Sequence, residues 1–430
     1  MEITMVLKIL KQVNNKLNQT NSTLAILCVL TCSTQLANAA VSQKQSYSNP
    51  QISVIIDGGY IASSKPSDEY FVPGFQLGEE AELPSSGFQI NEAELNLQSN
   101  IDPYWFGNLT IGMHQHGSHT EFDLEEAFIR TLALPAGLSL TGGRFYSGLG
   151  YLNHHHRHQW DFVDAPLVYR ALFNNQYKDD GVQLRWVVPS TVFWEWGVEA
   201  FPGRFFPASG SGNRLGSLSL FTHIGDDIGI NNSWQLGASY LHTKPHQRVA
   251  ILKGLSSEGH GHDHDHEHEH RHHNDYDFTG QGHTYGVDAI WKWAPTGNEK
   301  SQYLTLQGEM YTRHENGQLH LGEETGKVQI RQNGAYLQAV YLFRPQWRVG
   351  LRYDRLGSNN RADNHEILHD ANLAAHHYHP HQTTAMIDYS LSEFSRLRLQ
   401  YNRDYSSERL NRMVMLQFVV SLGAHGAHAY

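Results

Sequence analysis

Hydrophobic and polar positions alternate along most of this chain. In GVQLRWVV, Val182, Leu184, Trp186 and Val188 share one face, while Gln183 and Arg185 share the other. SWQLGASYLH groups Trp234, Leu236, Ala238 and Tyr240 in the same way. TTAMIDYSL sets Ala385, Ile387, Tyr389 and Leu391 against Thr384, Asp388 and Ser390. RLRLQYNR sets Leu397, Leu399 and Tyr401 against Arg396, Arg398, Gln400 and Asn402. A period of two is the strand signature, because successive side chains point to opposite faces. Strands marked by it start near 52, 88, 104, 120, 137, 180, 192, 215, 232, 282, 300, 328, 346, 381, 394 and 412. That is about sixteen, an even number within the range of membrane barrels. The polar faces carry charge, so the apolar faces are expected to meet lipid. The alternative is a secreted soluble β-sandwich, which would bury them.

The connections support the barrel. Short ones at residues 100–103, 134–137, 189–190, 225–231, 294–300, 344–346 and 392–394 alternate with mostly long ones. Short periplasmic turns and longer outside loops are the asymmetry of such barrels. Trp105, Trp186, Trp194, Trp196, Trp234, Trp291, Trp293 and Trp347 all fall near short turns, as an aromatic girdle requires. The last strand, MVMLQFVVSL, presents Val414, Leu416, Phe418, Val420 and Leu422 to lipid, and the chain ends in Tyr430. That ending resembles the signal read by the barrel assembly machinery. The predicted fold is therefore all-β: a transmembrane antiparallel β-barrel of about sixteen strands, with lipid as its solvent and no enzyme-like βαβ pattern.

The N-terminus reads as a cleaved signal peptide over residues 1–39. Lys8, Lys11 and Lys16 precede a short apolar core, LAILCVLT, and Ala37-Asn38-Ala39 is a small-x-small cleavage site. The core is well under the ~20 residues of a membrane-spanning helix. A lipidated Cys32 would follow Thr31, a poor residue for that position. Residues 40–51 make a short N-terminal segment before a barrel over 52–430, with a His-rich disordered loop at about 243–281. Cleavage removes both cysteines, Cys28 and Cys32, and with them disulfides and thiolate metal sites. With 43 Asp+Glu against 32 Lys+Arg, nucleic acid is excluded as the main partner.

Histidine changes the picture. The chain has 29, and most fall in predicted outside loops. His114, His116 and His119 lie in the connection HQHGSHT, and His154, His155, His156 and His158 in the third loop, about 147–179. The fifth loop holds EGHGHDHDHEHEHRHHND, with His260, His262, His264, His266, His268, His270, His272 and His273. His365, His369, His376, His377 and His379 belong to the seventh. His223, His425 and His428 are assigned to the periplasmic side. Imidazoles with carboxylates beside them suit zinc, copper and nickel alike. Alternate residues of an extended run are roughly 6.6 Å apart, so the fifth-loop run must bend to chelate. It is expected to hold several ions weakly; a solvated loop with no metal role is the plain alternative.

His365-Glu366-Ile367-Leu368-His369 matches the H-E-x-x-H motif of zinc hydrolases. The extended three-histidine form would need Gly at 372 and His at 375, where Asn372 and Ala375 stand. These residues are counted as loop metal ligands, with no catalytic residue expected. Porins of this size often fold the third loop into the lumen. That would bring His154–His158, Asp161, Asp164, Asp179 and Asp180 to a constriction, Asp161 and Asp164 as further metal ligands. The lumen faces of later strands carry Arg348, Arg352, Arg396 and Arg398 with Glu309, Asp354 and Asp388. Opposed charges there select by field and size; equally, the arginines can simply pair with barrel carboxylates.

FVPGFQLG, LEEAFIRTLAL, the block GRFYSGLGYLNHHHRHQWDFVDAPLVYRALFNNQYKDDGVQLRW (143–186), WKWAPTGN, SEFSRLRLQYNRD and SLGAHGAHAY resemble a family of Gram-negative proteins described as zinc-regulated outer-membrane receptors, often labelled TonB-dependent. The resemblance spans essentially the whole mature chain. It implies an outer-membrane location and expression linked to zinc scarcity. TonB as a partner stays open, because TonB-dependent receptors have a ~22-stranded barrel with a plug, and residues 40–51 are too short for one. A homotrimer is an analogy with porins. The expected function is a porin-like channel that takes up zinc or a similar divalent metal. A surface metal buffer, a porin for another solute, and a metallohydrolase at HEILH are the alternatives.

Overall fold

The computed structural model describes residues 50–430 apart from 117–118, 211–214, 251–275, 323, 375–376 and 424–430. Residues 1–39, read above as a signal peptide, and the His260–His273 run lie outside the described residues. Eighteen strands form one sheet. In chain order they are β1 (Gln51–Ser63), β2 (Gly87–Asn100), β3 (Trp105–His116), β4 (His119–Thr131), β5 (Leu138–Tyr146), β6 (Lys178–Val187), β7 (Phe193–Phe201), β8 (Ser217–Ile228) and β9 (Asn232–Thr243). Then follow β10 (Arg248–Ala250), β11 (Tyr276–Trp293), β12 (Tyr303–Leu321), β13 (Glu324–Arg344), β14 (Trp347–Ser358), β15 (Arg361–Ala362), β16 (His381–Ser392), β17 (Ser395–Tyr405) and β18 (Asn411–Gly423). β10 and β15 are short additions on the outer ends of β11 and β13. The other sixteen are the long strands of an antiparallel barrel, closed where β1 pairs with both β2 and β18. Tyr60, for example, sits between Phe88 and Leu416.

The burial pattern is inverted relative to a soluble protein. On β12, Gln307, Glu309, Arg313 and Glu315 are buried, while Met310, on the opposite face, is 52% exposed. Leu337 and Leu351 are 64% and 63% exposed on their outward faces. A closed wall with an apolar exterior satisfies every ladder hydrogen bond internally, as a lipid-spanning structure must. The soluble sandwich is thereby excluded. Trp105, Trp194, Trp196, Trp234 and Trp347 stand in the first residues of their strands, and Trp186, Trp291 and Trp293 at the last ones, all at the short-turn end.

Strand starts follow the alternation within three residues, except at β11 (276 against 282) and β13 (324 against 328). Those two strands and β12 run past the long-loop rim. There, helix α2 (His365–Asp370) lies on their ends, and Ile367, Leu368 and Leu373 pack with Tyr276, Phe278, Leu319, Val328 and Ile330.

The principal apolar cluster lies inside the barrel. Val72, Phe75 and Leu83 of the first long connection join Leu149, Trp160 and helix α1 (Leu167–Phe173) of the third, against inward Tyr311, Tyr336, Met413 and Met415. Every residue of α1 is buried.

Candidate functional site: the third loop inside the barrel

The third loop, residues 147–177, leaves β5 and returns to β6 through the lumen. Asn153 braces its two stems, donating to the carbonyls of Ser147 and Tyr177 (both 2.8 Å) and accepting from the Tyr177 amide (2.7 Å). Glu309 holds it to β12. That carboxylate accepts from the Leu152 amide (2.9 Å) and from the hydroxyls of Tyr169 (2.7 Å), Tyr311 (2.7 Å) and Tyr336 (2.6 Å). Gly150 passes this knot at φ +65°, where an added Cβ would lie 1.9 Å from the Tyr311 hydroxyl and 2.3 Å from Glu309 Oε2. Gly150→Ala therefore combines a left-handed backbone cost with overpacking, together about 2–4 kcal/mol. It is expected to make the third loop of the folded barrel cleavable by protease; persistent resistance would refute the tight fit.

Asp164 is the second anchor. It accepts from Arg352 (2.9 Å), Arg170 (2.5 Å), Gln382 (2.8 Å), Gln400 (2.6 Å) and Asn402 (2.9 Å), tying the loop to β14, β16 and β17. Asp354 accepts from the Leu167 amide (3.0 Å) and pairs with Arg352 (2.9 Å). Asp161 pairs with Arg348 (2.8 Å), which also grips Asp388 (2.6 Å); Arg398 reaches that carboxylate at 3.3 Å. Arg396 and Arg398 donate to the carbonyls of His158 and Trp160 (2.7 and 3.0 Å). Arg348, Arg352 and Arg398 are thus paired with carboxylates, and together with Arg396 they clamp the loop. Asp161 and Asp164, grouped with the histidines in the sequence reading, are instead bound by arginines. Asp179 and Asp180 belong to β6 rather than to the loop.

The histidines fall into two kinds. The His154 and His155 rings lie 4.2 Å apart between centroids, tilted by 37°, and His155 Nδ1 lies 2.9 Å from the Tyr151 carbonyl. Burial holds both pKa values down, His155 to about 4, so both rings are neutral at pH 7. His156 meets the wall. Its Nδ1 is 3.4 Å from Glu94 and 3.5 Å from Glu125, its Nε2 3.2 Å from Glu126, and His158 Nδ1 is 3.2 Å from Glu94. Burial opposes its charge, but the three carboxylates outweigh that and raise its pKa well above the histidine range. One ligand atom each from Glu94, Glu125 and His156 lies within 4.8 Å of the others. Glu94 Oε2 and His156 Nδ1 are buried without a hydrogen-bond partner. Two ligands of one tetrahedral zinc are roughly 3.3–3.5 Å apart, given bonds of about 2.0–2.2 Å, so this group fits the ion. A β-bulge sets it up. Thr110 pairs with Glu126 and Ile111 with Leu124, leaving Glu125 as the extra residue, so consecutive glutamates both reach His156.

A further inward group was missed by sequence reasoning. His223 Nδ1 lies 3.0 Å from Glu195, which Arg185 also holds, and His223 Nε2 faces Asp288 at 3.8 Å. Its strand parity, shared with Ser217, Ser219 and Phe221, was the available signal.

The remaining predicted ligands lie elsewhere. His114 and His116 end β3 and His119 begins β4, so these three are strand residues rather than loop residues. HEILH forms α2, capped by the Asn364 side chain on the Glu366 amide (3.0 Å). His365, Glu366 and His369 are exposed there, as are His377 and His379; His376 lies outside the described residues.

No family model matches the chain. An uncharacterized protein of Aquifex aeolicus (strain VF5) is 29% identical over 399 residues, 89% of this chain and 80% of that one. Among solved structures, a loop L8 deletion mutant of the Vibrio cholerae outer membrane protein OmpT superposes with a TM-score of 0.50 at 8% identity, covering 88% of this chain and 100% of that one. The outer membrane channel DcaP of Acinetobacter baumannii gives 0.50 at 12% identity, covering 87% and 96%. The fold is that of the porin-like outer-membrane β-barrels.

Proposed function

We propose that this chain is an outer-membrane channel and receptor for uptake of zinc or a similar divalent cation, copper and nickel included. The observation that carries this reading is the placement of His156 against Glu94 and Glu125 inside the barrel, on a loop that narrows the lumen. Neutral imidazole and carboxylate are the donors that borderline divalent cations prefer. Histidines of the outside loops, His260–His273 above all, would raise the local ion concentration, and the third loop would pass ions one at a time. A zinc-regulated receptor identity, and a homotrimeric assembly like that of porins, belong to this proposal. A porin for another small solute is the second reading, favoured by Arg348, Arg396 and Arg398, gathered where the loop crosses.

Purified protein in planar bilayers is expected to conduct, with zinc reducing the monovalent current; absence of any conductance defeats the channel. Deleting residues 258–273 is expected to slow growth under zinc limitation while the barrel still assembles. Uptake that survives a proton uncoupler supports passive passage over a TonB-energised one.

A further inference from the structure

We propose that His223 and Asp288 form a second divalent-cation site in the luminal wall, with Glu195 orienting the imidazole. The site rests on one cross-strand row. Glu195 on β7 pairs with His223 on β8; His223 and Asp288 both pair with Gly237 on β9 between them. Gly237 leaves the space through which the two side chains approach. A Cβ there would stand 2.1 Å from Asp288 Oδ2.

The polar accounting leaves three buried atoms that a cation would satisfy. His223 is 2% exposed and Asp288 4%, yet His223 Nε2 and both Asp288 oxygens have no hydrogen-bond partner. Buried polar atoms are rarely left so, and His223 Nε2 faces Asp288 Oδ2 across 3.8 Å, where an ion would satisfy both. With the Nδ1 proton donated to Glu195, Nε2 presents a lone pair, and a carboxylate offers only lone pairs. Two acceptors cannot bond each other. A proton on Nε2 would not close the gap either, because 3.8 Å is beyond hydrogen-bond range. Two zinc ligands lie roughly 3.3–3.5 Å apart at the tetrahedral angle and at most roughly 4.1 Å with collinear bonds, so an approach of a few tenths of an ångström seats both atoms on one ion. A carboxylate holding the far nitrogen of a metal-binding imidazole is the usual supporting arrangement, fixing tautomer and ring orientation. Arg185 in turn fixes Glu195. This inference rests on the reading of a divalent-cation channel, and it gives the ion a second stop on the wall after the His156 group.

The test is zinc-edge anomalous diffraction from crystals of the full chain equilibrated with zinc. The expected result is a peak between His223 Nε2 and Asp288, absent from Asp288→Asn and from Gly237→Val. Glu195→Gln should keep the peak but lower the site's zinc affinity by roughly 10–100-fold. If Gly237→Val fails to assemble, the isosteric Asp288→Asn decides alone. Zinc at His156 with none at His223 overturns the second site and leaves the transport reading standing. Zinc at His223 alone supports this inference and removes the observation on which that reading was carried. Zinc at neither defeats both.

Discussion

Asp164→Ala is expected to raise single-channel conductance severalfold without unfolding the barrel. The carboxylate receives five side-chain hydrogen bonds from α1 and from three wall strands, and its removal leaves the buried Arg352 and Arg170 short of a counter-charge. Breaking a buried pair from one side costs about 3–5 kcal/mol. Arg352 retains Asp354, and Arg170 retains the Tyr70 hydroxyl at 3.2 Å, which softens the loss. What remains is a loop whose cheapest response is to leave β16 and β17, widening the lumen. The wall ladder does not pass through the loop, so the unheated variant should still migrate as a folded barrel on gels. Asp164→Asn keeps the shape without the charge and should fall between. Unchanged conductance in the alanine variant would refute the latch.

The pH dependence of this latch follows from its sign. Burial acts to raise the Asp164 pKa, but Arg352, Arg170 and the amides of Gln382 and Gln400 outweigh it and hold it below the carboxylate range. A depressed pKa contributes stability above the unfolded value of about 3.9. That stability is lost only as pH falls through the folded value. The latch should therefore hold through neutral and mildly acidic pH.

The wall was legible because lipid outside and polar groups inside impose a strict period of two. β9 and β16 start where the alternation places them. β11 starts earlier because YDFTGQ, beyond the lipid zone, has no such constraint and is held instead by β10 and the α2 cluster. The contents of the lumen were less legible. FVPGFQLG carries turn residues and no period, so nothing local announces that Phe75 packs against the third loop. Glu125 and Glu126 cannot share a face in a regular strand, and only the bulge brings both to His156. His223 was placed along the barrel axis, toward the periplasmic side, without asking which face of its strand it takes. Its parity on β8 would have turned it inward.

His156→Ala is expected to weaken zinc block of the channel by at least about tenfold, a loss comparable to that seen for altered metal shells. Two opposed pH effects make the test specific. In the metal-free protein the raised pKa of His156 means that its charged form pins the loop to Glu94, Glu125 and Glu126. That contribution is complete below the unfolded value of about 6.5 and fades as pH rises through the folded one. Zinc needs the neutral ring and must displace the same proton. Its affinity should rise with pH, up to tenfold per unit, until the raised pKa is passed. Protease resistance of the loop should accordingly fall with rising pH without zinc and increase with it when zinc is present, by the mass-action stabilisation of a bound ligand. His156→Ala should flatten both trends. A zinc block that keeps its strength and its pH slope in that variant would place the ion elsewhere, and the third loop would then be a constriction without a site.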